Sequence, residues 1–411
     1  MKNPNQASLI PSSKGITRRE GLMLTVLGSA MLMAGCGGGG GGGGGGGTPA
    51  TGSSATGAIT GFGSIIVGGV RFDDSAASIQ DDDDGDSLNR DALKLGMVVR
   101  IKGGKKTDDG SSIRANAHSI EVHSELQGPV DSKTATSIVV LGQTVKISAT
   151  TFFEDGLSLA TLAVGAVVEV HGFVDPANNN LTATRIESKP NAKVFKLQGT
   201  VSALNTVAKT FKLGTGTGTG TSTITISYLT AVVPSSLTLA NGSVVRVRLV
   251  TTPVNGIWTA LKVKKFEIEK DDRNEAEVEG IITAFTSTSL FSVNGLPVDA
   301  STATFEGGKT GVVLGARVEV EGSIVNGVLV AKKVELEGGE DAAKFELHGT
   351  LSLLDTAAKT FVLRGVTVNY GSATFAIGVT ALSLANGLNI EVKGKRSAGN
   401  VIVATRISLD R

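Results

Sequence analysis

The sharpest polar cluster in the chain is DDDDGDSLNRD, residues 81–91. Calcium takes several carboxylate oxygens from a flexible loop that turns at a glycine. With Gly85 as the sixth loop position, Asp84 falls at five, Asp82 at three and Asp91 at twelve, but Gln80 stands at one. No long helix flanks the run. Two readings stay open: a calcium loop built on Asp82, Asp84, Asp86 and Asp91, or a solvated acidic insertion between strands. Other candidates are weaker. The four histidines, His118, His123, His171 and His348, show no zinc spacing. His118 and His123 are five apart, which turns them to opposite faces of a strand. Glu319 and Glu321 share one strand face and read as the polar side of a wall. GTGTGTGTST (214–223) lacks the Lys-Ser/Thr and helix of a phosphate loop. Trp258, the only Trp, is either a ligand platform or a half-buried strand residue. There is no Gly-x-Ser-x-Gly elbow.

The one cysteine, Cys36, precedes eleven glycines, 37–47. Before it, GLMLTVLGSAMLMAG (21–35) runs without a charge behind Lys2, Lys14, Arg18 and Arg19. That length suits an export signal better than a membrane span. LMAGC resembles a bacterial lipobox, with Met33 where Leu is usual. The resemblance implies that 1–35 is removed and that Cys36 becomes a lipidated N-terminus. The alternative is a plain secretory signal. TRREGLM (17–23) resembles a twin-arginine signal, departing at Gly21. Residues 36–55 then form a random-coil tether spanning roughly 25 Å. The expected location is the bacterial cell envelope, on the periplasmic or cell-surface side, with the membrane as partner through the lipid.

The chain carries 39 basic and 38 acidic residues, and removal of 1–35 leaves a net charge near −2. That balance, with aromatics at 4%, speaks against nucleic acid, which wants aromatic platforms in a basic groove. Hydrophobic residues at 40% suffice for packed cores.

What must position any site is a repeat. LKLGMVVRIKG (93–103), LAVGAVVEVHG (162–172), LANGSVVRVRL (239–249), VVLGARVEVEG (312–322) and LANGLNIEVKG (384–394) share one pattern. Their glycines Gly96, Gly165, Gly242, Gly315 and Gly387 are spaced by 69, 77, 73 and 72 residues. Each unit opens with an x-Gly-x-apolar strand and closes with an Ala-x-x-apolar strand. RVEVEGSI (317–324) alternates with the strand period of two. FSVNGLPVDAST (291–302) is a hairpin around Asn-Gly. Before the key glycine a single helical turn is expected, with the glycine just past its end.

Three strands, a turn and two strands make an OB-like β-barrel, with SH3-like barrels or small sandwiches as alternatives. The units run 56–125, 126–190, 195–270, 275–339 and 345–410. Charged connections such as IEKDDRNEAEVEG (268–280) suggest beads with limited freedom. Together with TATFEGG (302–308), these motifs resemble a bacterial domain of unknown function catalogued as family 5666. Unit four fits best and unit two well; units three and five depart in the middle and unit one most. The resemblance implies fold and envelope location, and brings no activity. The expected function is a non-catalytic binding or structural module with a protein or polysaccharide partner and no cofactor. The alternative is a periplasmic ligand- or calcium-binding protein using the acidic loop.

Overall fold

A computed structural model describes residues 52–410, apart from 84, 111, 176–179, 215–222, 267, 269, 338–343 and 398–399. The export segment, Cys36, residues 36–51 of the tether, Asp84 and most of GTGTGTGTST lie outside the described residues.

Unit four shows the plan. Its strands are Arg273–Ser287, Leu290–Val293, Leu296–Asp299, Arg317–Val325 and Val328–Leu336. The first pairs antiparallel with the second, and the second with the third. The third runs parallel to the fifth, the fifth antiparallel to the fourth, and the fourth antiparallel to the first. The sheet thus closes in the order one-two-three-five-four-one. Alternation fills its interior: Val318 and Val320 are buried between Arg317, Glu319 and Glu321.

The other four units close in the same order. Unit one uses Ser53–Ala58 with Gly61–Phe62, then Ile65–Val67, Val70–Asp73, Val98–Gly103 and Ile113–His123. Unit two uses Leu126–Lys133, Ser137–Val140, Gln143–Lys146, Val167–Asp175 and Asn180–Ser188. Unit three uses Phe195–Asn205, Thr210–Gly214, Thr223–Ser227, Val244–Leu249 and Ile257–Lys265. Unit five uses Lys344–Asp355, Thr360–Leu363, Val366–Asn369, Asn389–Arg396 and Ile402–Leu409. The described residues are all-β, built of small five-stranded OB-like barrels.

The repeated glycine locks each barrel. Gly96, Gly165, Gly242, Gly315 and Gly387 have φ of +80°, +87°, +89°, +82° and +92°. Their N–H groups donate to first-strand carbonyls of Ile59, Val130, Val201, Ile282 and Leu351 at 2.8–2.9 Å. The residue after each glycine donates to the carbonyl three residues back, as Met97 does to Lys94. This is a type II turn, whose third residue needs positive φ. The expected helix end is corrected here. Units one and five place a 3₁₀ turn upstream, at Arg90–Ala92 and Ala381–Ser383, and the other units have none among the described residues. A second glycine makes the fourth strand bulge. At Gly172 and Gly322 the register slips, and a Cβ would stand 2.2 Å from the carbonyl oxygens of Thr182 and Val330.

The picture of separate beads is also corrected. The first strand of unit one pairs in parallel with that of unit four, Ser53–Thr56 against Glu275–Val278. Its continuation pairs with unit five, Gly61 and Phe62 against Glu346 and Leu347. Units two and three join antiparallel at Leu126–Gln127 and Lys196–Leu197. Cores merge accordingly: units one and five share one apolar cluster, and units two and three another. Backbone edges left open by small barrels are satisfied by other barrels.

Candidate functional site at the barrel junctions

The acidic run sits where unit one meets unit three. Asp81 ends a short strand, Ser78–Asp81, laid beside the fifth strand of unit one. Asp81 and Asp83 carboxylates meet Lys196 at 3.1 and 3.3 Å, and Asp83 meets Lys264 at 3.0 Å. Lys262 and Lys264 donate to the carbonyls of Asp83 and Asp82 at 3.1 and 2.9 Å. Asp82 accepts from His123 Nδ1 at 2.7 Å and from Arg246, which also donates to Glu125 at 2.9 Å. The start of the run, Asp81–Asp83, is therefore a clamp, while Gly85–Ser87 and Asn89–Asp91 are solvent-exposed as an insertion would be. Unit three's fourth and fifth strands turn Arg246, Lys262 and Lys264 toward it. Burial opposes ionisation of Asp82, but His123, then Arg246 and Lys264, hold its carboxyl below the usual range. Of the four calcium candidates, Asp82 alone lies in this network. Asp86 and Asp91 are exposed, and Asp84 is outside the described residues.

Beside the clamp lies a cavity of about 740 Å³ where units one to four meet. Val98, Phe173, Val244, Val293, Leu296 and Ile324 make its walls apolar. His123 and Glu125 line it together with Arg100, Arg246, Lys265, Asp271 and Arg273. His123 is 7% exposed, and its Nε2 is buried without a hydrogen-bond partner. Glu125 Oε2 is in the same condition. Convergent polar atoms in an apolar cavity are the usual signature of a small-molecule site.

A second cluster backs onto His123. His171, on the fourth strand of unit two, is 1% exposed, and its Nδ1 donates to the His123 carbonyl at 2.6 Å. Its Nε2 is buried without a partner. A ring nitrogen of His171 and carboxylate oxygens of Glu169 and Glu187 lie within 4.8 Å of one another. Lys189 bridges the two carboxylates at 2.8 and 2.9 Å. Burial keeps His171 neutral by lowering its pKa. This cluster lines a cavity of about 1070 Å³. The sequence treated His171 as a lone strand histidine. Its one signal was Glu169 two residues earlier on the same face.

Unit four offers a contrast. Glu319 stands opposite Glu279 and Glu335, and Glu321 opposite Glu277. Lys106 of unit one pairs with Glu277 at 2.5 Å, and Arg317 with Glu279. Burial, against the pull of Lys106, still raises Glu277 to about 7. Burial and the neighbouring glutamates raise Glu319 well above the ordinary value. Trp258 is half-buried, 5.8 Å from Phe195. His118 is exposed. Both His348 nitrogens are engaged at 2.8 Å, by Glu346 and Asp410.

Fold and junctions thus define a protein of tandem, mutually docked five-stranded barrels. Three stretches of the chain, residues 127–187, 279–335 and 348–408, match the family described as a domain of unknown function (DUF5666). Those spans are units two, four and five; unit five matches although its middle was expected to depart. No curated protein matches the chain. A solved structure, drosophila Unr CSD456, aligns at 16% identity over 43% of this chain and 79% of that one, with a TM-score of 0.16. Neither result names a catalytic activity.

Proposed function

We propose that the chain is a membrane-anchored envelope lipoprotein whose docked barrels form a non-catalytic binding module, with the junction cavity as its ligand site. The anchor reading rests on Cys36 and the residues before it; the tether would present the barrels to polysaccharide or protein partners. The observation that carries the ligand site is a pair of buried polar atoms without a hydrogen-bond partner, the acceptor Glu125 Oε2 and the neighbouring His123 Nε2, in a largely apolar cavity. They favour a ligand with an apolar body and a donor-bearing head, such as an amine or hydroxyl. Long-chain alkyl amines and alcohols are expected to raise the melting temperature, and fatty acids of equal length are not. Val244→Trp, at a cavity-lining position that is 40% exposed, adds bulk there and should abolish the rise. Equal shifts with all three ligands, or shifts surviving in Val244→Trp, would refute the site. Cys36→Ala should move the protein out of the membrane fraction; retention there would refute the anchor.

A second reading, calcium held by the acidic loop, draws on carboxylate oxygens of Asp81, Asp82 and Asp83 that lie within 4.8 Å of one another. It expects higher melting in millimolar calcium, and no shift would sink it.

A further inference from the structure

We propose that Glu169, His171 and Glu187 form a binding site for a borderline divalent transition ion of the zinc type, with the Lys189 ammonium as its built-in placeholder. The His123 carbonyl can only accept, so Nδ1 of His171 carries a hydrogen. A backbone carbonyl in that position fixes ring and tautomer as it does behind metal-bound histidines. In the neutral ring Nε2 is then a bare lone pair. It is buried without a hydrogen-bond partner, on a side chain 1% exposed.

Two carboxylates and one imidazole suit zinc-type ions, and the nitrogen disfavours calcium. The donor atoms lie within 4.8 Å of one another. An ion about 2.0–2.2 Å from each would draw them together by about 1 Å, which glutamate rotamers can supply. Lys189 now occupies the carboxylates, yet its side chain is 35% exposed and can swing to solvent. Arg185 and Lys196 remain on the outer carboxylate oxygens, Arg185 on Glu187 at 2.5 Å and Lys196 on Glu169 at 3.7 Å, and temper the affinity. The adjoining cavity gives an ion a path in. The Glu346–His348–Glu391 cluster lacks this feature, because both nitrogens of His348 are engaged.

The test is titration of the full chain, purified in detergent and stripped with chelator, against Zn²⁺ by competition with a chromophoric chelator and against Co²⁺ by visible absorption. One equivalent is expected to bind, unaffected by calcium. Lys189→Met removes the internal competitor and should tighten binding at least about tenfold. His171→Gln should abolish binding while retaining a cooperative melt. Absence of binding in both the native chain and Lys189→Met overturns the proposal. So does undiminished binding in His171→Gln, which would place the ion elsewhere.

Discussion

The junction of units one and three and the junction of units one and four bury carboxylates in opposite ways. At the first, Asp81, Asp82 and Asp83 meet Lys196, Arg246, Lys262 and Lys264, so every carboxylate has a cation. At the second, five glutamates of unit four share one face with Arg317, Lys333 and the visiting Lys106. At Asp82 the surrounding cations outweigh burial and hold the proton off; at Glu277 burial outweighs Lys106, and at Glu319 burial and then the neighbouring glutamates hold it on. Barrels of one strand order therefore dock through interfaces of opposite pH sense.

The largest effect should come from breaking the matched junction. Arg246→Met leaves Asp82 and Glu125 buried without their shared partner, a loss of about 3–5 kcal/mol. Urea unfolding should show it, with the early transition confined to units one and three by hydrogen exchange. A loss below about 1 kcal/mol would mean that the clamp is solvated after all.

Lys106→Met should cost less, about 1–2 kcal/mol, because Glu277 can take up a proton. The cost should shrink as pH falls below about 7, where Glu277 is already neutral. A cost equal to that of Arg246→Met at pH 6 would erase the distinction between the junctions.

The pH dependences have opposite signs. Asp82, with its pKa lowered, stabilises above its unfolded value, and that stability is lost as pH falls through the folded value. Glu277, raised from 4.5, stabilises when protonated, and that contribution fades as pH rises toward about 7. Acid should expose the unit three side first, and mild base the unit four side. The smallest effect is Glu319→Gln, which removes a like charge opposite Glu279 and Glu335. It should raise stability by about 1 kcal/mol at pH 8 and leave melting at pH 5 unchanged.

Much of the barrel was legible in the residues. Asn294 and Gly295 adopt φ of +50° and +85°, the two-residue hairpin turn that Asn-Gly announces. The glycine of each repeat was placed correctly, though in a type II turn and not at a helix end. A glycine spacing reports that positive φ is needed, and both settings need it. The candidate sites were hardly legible. The acidic run was visible as charge, but its partner Arg246 lies 164 residues away. His171 meets the His123 carbonyl across 48 residues and a barrel boundary.

The sequence by itself determined the unit: strand alternation, turn glycines and a repeat near seventy residues follow from backbone sterics and side-chain period, which are local. Tertiary structure alone decided which barrels touch. Pairing of unit one with units four and five depends on free strand edges of segments more than 200 residues apart. Docking of units two and three against unit one turns a solvated-looking acidic stretch into a clamp. It also leaves His123 and His171 each with one buried, unanswered nitrogen.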